Sequence, residues 1–90
     1  MKLRENLILR EVAGLYAVVP VSSAVLDFNG MLTLNATGAE LWRKLEENSD
    51  REGLAQFLTE EYNVSRQTAE HDVDAFLQKL RDAGCFTDEN

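Results

Sequence analysis

The sequence has one cysteine, one histidine, one proline and one tryptophan in 90 residues, and each scarcity excludes something. A lone cysteine, Cys85, cannot close an internal disulfide, which fits a reducing, cytoplasmic setting. One cysteine and one histidine fall short of a zinc ligand set, and no metal-ligand spacing is present. On a helical wheel His71 lies opposite the apolar stripe of its segment, so it faces water rather than a substrate. Cys85 beside Phe86 reads as a buried, inert thiol. Gly30 and Gly38 make no phosphate-cradling loop. No catalytic constellation, metal or cofactor is expected.

Long apolar runs are also missing. None approaches the roughly 20 residues of a membrane span, and Arg10 and Glu11 interrupt the N-terminus before a signal-peptide core could form. Positive charge is scarce: nine Lys and Arg stand against 16 Asp and Glu, a net charge of -7. In residues 1–34, Lys2, Arg4 and Arg10 balance Glu5, Glu11 and Asp27. The excess therefore lies in residues 35–90, and an acidic half of this kind repels phosphate. The pairs Glu46-Glu47 and Glu60-Glu61 read as solvated helix ends.

What is present reads as one domain, residues 1–90. Leu7 to Val12 predicts a strand, Ala13-Gly14 a turn and Leu15 to Val19 a second strand, together an antiparallel hairpin. Pro20, with no amide to donate, closes the second strand or sits on its outer edge. Residues 21–29 read as a loop. Its apolar members Ala24, Val25, Leu26 and Phe28 either fold over the sheet or border a groove. Met31 to Leu34 reads as a third strand that runs directly into a helix.

Three helices follow. Thr37 and Glu40 have the spacing of a capping box, and so do Ser49 and Glu52. The first helix is expected from Thr37 to Glu47 and the second from Ser49 to Tyr62, with Leu54, Phe57 and Leu58 inward. Gly53 costs the second helix about 1 kcal/mol relative to alanine. Ser65 caps the third helix and Gly84 stops it. Ala69, Val73, Phe76, Leu77 and Leu80 form its apolar stripe. Cys85 and Phe86 pack back, and Thr87 to Asn90 fray. The expected fold is α+β: a three-stranded antiparallel sheet followed by three helices, resembling a winged helix-turn-helix.

A short third strand with an unpaired edge is a liability unless it is covered or used. Its use would be to accept an extended peptide as an added strand. The third helix offers a wall for such a site. Asp72, Phe76, Lys79 and Ala83 form one flank of its stripe; Glu70, Leu77 and Arg81 form the other. The first is preferred, because Phe76 supplies an apolar floor with a charge of each sign beside it. Phe76 as plain core is the alternative.

The run Leu34-Asn35-Ala36-Thr37-Gly38-Ala39-Glu40-Leu41-Trp42 resembles the PqqD family of peptide chaperones. So do Leu54, Phe57-Leu58 and Glu61-Tyr62-Asn63-Val64, and the close Val73, Phe76-Leu77, Leu80 and Ala83-Gly84. The resemblance spans Leu9 to Phe86. It implies a non-catalytic module that binds the leader of a ribosomally made precursor peptide by strand addition. The precursor is then presented to a modifying enzyme, often a radical SAM protein; pyrroloquinoline quinone is one product within the family. Carried over by motif position, the peptide site comprises Met31, Leu32, Thr33, Leu34, Asp72, Val73, Phe76 and Lys79. Two rivals stand beside this reading. One is a winged-helix nucleic-acid binder, which the acidic third helix disfavours. The other is an oligomerisation module using the open edge on itself. A monomer or a weak, strand-swapped dimer is expected.

Overall fold

The structure, a computed structural model, describes residues 2–21 and 32–87. Three strands, β1 (Leu7–Val12), β2 (Leu15–Pro20) and β3 (Leu32–Leu34), precede three helices, α1 (Ala36–Glu46), α2 (Arg51–Tyr62) and α3 (Arg66–Ala83). The sheet is antiparallel throughout, in the order β1-β2-β3. Ala13 and Gly14 both take positive φ, 54° and 80°. That is the mirror-image turn whose twist matches the flanking strands. Glycine adopts it freely; Ala13 does so at a steric cost.

Pairing fixes the two faces of the sheet. Val18 opposes both Leu9 and Leu32, and Tyr16 opposes Leu34. Leu7, Val18, Leu32 and Leu34 are buried, so this face meets the helices. Across the core lie Leu41, Trp42 and Leu45 of α1, Leu54, Ala55 and Leu58 of α2, and the α3 stripe. The stripe matches the sequence reading in every member: Ala69, Val73, Phe76, Leu77 and Leu80 are all buried. The helices form because apolar residues recur at three- and four-residue intervals, and the sheet supplies the surface that buries them.

The caps differ from the expected capping boxes by one or two residues. Asn35, not Thr37, caps α1; its Oδ1 accepts the Gly38 N–H at 2.7 Å. Thr37 lies inside the first turn, and Glu40 instead accepts a 2.6 Å hydrogen bond from the Tyr62 hydroxyl. Asp50, not Ser49, caps α2, accepting from the Gly53 N–H at 2.8 Å. A carboxylate there also complements the positive end of the helix. Glu52 turns away to pair with Arg66 of α3. Gly53 gains a reason: a Cβ on it would sit 2.4 Å from Ser49 Oγ and 3.3 Å from Asp50 Oδ1. Ser65 and Gly84 (φ 80°) bound α3 as expected.

The two described ends meet. Leu3 and Phe86 form an antiparallel bridge. The Arg4 N–H donates to the Cys85 carbonyl at 2.9 Å, and the Thr87 N–H to the Lys2 carbonyl at 2.8 Å. Thr87 is therefore held rather than frayed; residues 88–90 lie outside the described residues. Among the described residues no helix is long and apolar enough to cross a membrane.

Candidate functional site

β3 is the last strand of the sheet, and among the described residues no other strand pairs with its far side. The hairpin turn decides which backbone groups point there. A two-residue loop is closed by a doubly hydrogen-bonded pair, here Val12 with Leu15. Hydrogen-bonding direction alternates along each strand. Leu15, Ala17 and Val19 therefore bond toward β1, and Tyr16 and Val18 bond toward β3. Their partners Leu34 and Leu32 bond back toward β2. Thr33 is left with its N–H and C=O directed outward. The same alternation aims the missing donor of Pro20 toward the β3 side, past the described start of β3, where no described ladder bond is lost.

Beside this edge lies a cleft of about 440 Å³. One wall is the strand-to-helix junction: Leu34, Asn35, Thr37 and Gly38. The other is one flank of α3: Asp72, Ala75, Phe76 and Lys79. Leu41 and Leu58 lie between them. The walls approach closely because Gly38 packs against the strand end. A Cβ on it would lie 3.2 Å from Asn35 Oδ1 and 3.3 Å from Leu34 Cβ. The junction motif thus has a local logic: Leu34 anchors in the core, Asn35 caps, and Gly38 lets strand and helix close up.

Four of the expected site residues line this cleft: Leu34, Asp72, Phe76 and Lys79. They include three of the four residues of the preferred flank of α3; the fourth, Ala83, does not line the cleft. Phe76 serves both readings, since it is 8% exposed, belongs to the core and still floors the cleft. Asp72 and Lys79 are exposed at the rim, two helical turns or about 10 Å apart along α3. Thr33 is exposed at the strand edge. Leu32 and Val73 do not line the cleft; their side chains are buried in the core. Met31 and the loop residues 22–29 lie outside the described residues.

Ala75, Asn35, Thr37 and Gly38 were not among the expected site residues. Ala75 had a signal, because it sits three residues after Asp72 and four before Lys79, on the same side of the helix. Leu41 and Leu58 had none, since their spacing marks them equally well as core.

The rest of the surface offers little chemistry. His71 is exposed. Cys85 is buried, and burial pushes its thiol up to about 11, so it stays protonated at neutral pH. Among the described residues no group of three or more His, Cys, Asp or Glu could hold a metal. The cleft combines an outward backbone edge, an apolar floor and one charge of each sign on the rim.

The family model of coenzyme PQQ synthesis protein D (PqqD) matches residues 22–85. No curated protein sequence matches the chain. Two solved structures are similar. TbiB1, in complex with the TbiA(beta) leader peptide, has a TM-score of 0.78 at 22% identity, covering 100% of this chain and 99% of that one. A lasso peptide synthetase B1 complexed with the leader peptide has a TM-score of 0.74 at 27% identity, covering 93% of each chain.

Proposed function

Since this chain belongs to the PqqD family, we propose that it binds the leader of a ribosomally made precursor peptide and presents that precursor to a peptide-modifying enzyme. The leader adds to β3 as a fourth strand. Its backbone exchanges hydrogen bonds with Thr33, and alternate side chains enter the cleft beside α3. Asp72 and Lys79 set its direction by charge. Leu32, Leu34 and Val73 act from beneath, holding the strand and helix that frame the peptide. The chain itself performs no covalent step and carries no cofactor. It acts by tethering, which raises the substrate's effective concentration beside the enzyme into the mM range for a short linker. A radical SAM maturase is one enzyme class that such a module serves.

The observation that carries this reading is the outward Thr33 backbone beside an apolar cleft. The relatives solved with leader peptides support it. The test is titration of a fluorescently labelled precursor leader. Thr33→Pro removes the outward donor without removing a bond to β2. Ala75→Trp fills the cleft from an exposed position. Each is expected to weaken binding at least tenfold while circular dichroism stays unchanged. Wild-type affinity in a folded Thr33→Pro variant would overturn strand addition at this edge.

A further inference from the structure

Three of the four large apolar side chains exposed among the described residues belong to the hairpin or directly follow it. Val12 is 67% exposed, Leu15 72% and Val21 59%. Val12 and Leu15 are paired at the closed end of the hairpin, and Val21 follows β2 at its other end. Register places Ile8, Ala17 and Val19 on the same face as Val12 and Leu15, the one turned away from the helices. Arg10 is the charged residue of this face. It is exposed, and among the described residues it has no ion-pair partner. A sheet surface so apolar on its solvent side marks an interaction site.

We infer that this outer face of the hairpin docks the peptide-modifying enzyme, through an apolar patch carrying a carboxylate opposite Arg10. The inference rests on the leader-binding reading above and says where the second partner sits. Three observations favour this occupant. The first is continuity. Thr33 opposes Ala17 and so belongs to the same face. A leader strand added at Thr33 would extend that face by about 5 Å. Half of its side chains would point into the cleft, and the other half would complete the outer surface. An enzyme seated there touches hairpin and substrate together, and so prefers the loaded module.

The second is area. Two six-residue strands present on the order of 250 Å², well short of the roughly 800 Å² per partner in a stable complex. That is too little for a lasting pair of identical chains, and it suits a contact that gains strength from the bound peptide. The third is charge. The hairpin half of the sequence is neutral, whereas the helical half carries the whole excess of -7. An acidic patch on a partner is therefore repelled least at this face.

Photo-crosslinking in the native host, with the full chain, separates the possibilities. A p-benzoylphenylalanine probe at Ala17 reads the outer face, and titration of a labelled precursor leader against the full chain with its cleft residues unaltered reads the cleft. The Ala17 probe is expected to capture a protein that mass spectrometry identifies and that, once purified, modifies the precursor. Its yield should rise at least threefold when the precursor is co-expressed. It should fall at least tenfold in the Val12→Asp/Leu15→Asp variant, while leader affinity of that variant stays within twofold. Capture of a second copy alone, of nothing, or of the enzyme equally by the variant would overturn the docking surface if the chain still binds the leader. If the chain binds no leader, the leader reading falls, and the docking surface falls with it.

Discussion

Arg51 in the first turn of α2 grips Asp74 in the middle of α3 through two hydrogen bonds, Nε to Oδ1 at 2.6 Å and Nη2 to Oδ2 at 3.0 Å. The guanidinium lowers the carboxyl below the ordinary aspartate range. Both side chains are exposed, so solvent and salt screen the pair. The sign follows from linkage. A carboxyl whose folded value is depressed contributes stability that is present above about pH 3.9 and lost as pH falls through the folded value. Urea midpoints measured from pH 6 down to pH 2.5 should therefore fall more steeply for the wild type than for Asp74→Asn. High salt should narrow the difference.

The cap of α1 gives a sharper contrast. Asn35→Ala removes the acceptor of the Gly38 N–H and should cost about 1 kcal/mol. Thr37→Ala, at the position where a capping box would have its hydroxyl, should cost clearly less. Chemical denaturation of the two single variants, side by side, checks the assignment. Equal losses would return the cap to Thr37.

Gly53 tests a local crowding. Helix propensity alone predicts that Gly53→Ala stabilises by about 1 kcal/mol. The Ser49 hydroxyl stands where the new methyl would go, so it must rotate away, and most of that gain should vanish. Ser49 is not the capping residue, so its hydroxyl can be removed without losing the cap. In a Ser49→Ala background the same substitution should recover a larger part of the gain. The coupling is the difference between the two backgrounds in a double-mutant cycle.

Cys85 predicts behaviour at the alkaline end. Its thiol is held protonated to about 11, whereas an ordinary thiol titrates near 9.0. A raised folded value means that stability is full below the unfolded value and declines as pH rises above it. The native thiol should react with Ellman's reagent slowly at pH 8, and at the rate of a free peptide thiol in denaturant. Melting temperature should fall between pH 9 and 11 in the wild type, and by less in Cys85→Ala.

How far the sequence could be read depended on the kind of signal each residue carries. Leu7–Val12, the Ala13-Gly14 turn and the α3 stripe were legible because alternation and helical spacing are strong local patterns. Both N-terminal caps of α1 and α2 were misplaced for one reason. Asn35 next to Thr37, and Asp50 next to Ser49, offer competing acceptors a residue or two apart, and only the backbone path chooses between them. In the cleft, the α3 flank with Asp72, Phe76 and Lys79 followed from the wheel. Leu41 and Leu58 did not, because an apolar residue that lines a hollow has the same spacing as one that fills the core. The join of Lys2 to Thr87 was invisible, since nothing in either segment names a partner 85 residues away.

That join makes the polypeptide path nearly a ring. The bridge between Leu3 and Phe86 holds the beginning of the fold against its close, so the place where the chain is cut is not what defines the architecture. Linking the two segments with a few glycines and reopening the molecule between Ala13 and Gly14 should leave the core and the cleft in place. Such a circular permutant would carry its new ends beside Val12 and Leu15. A tether attached there could fasten the module to a chosen enzyme without crossing the peptide groove.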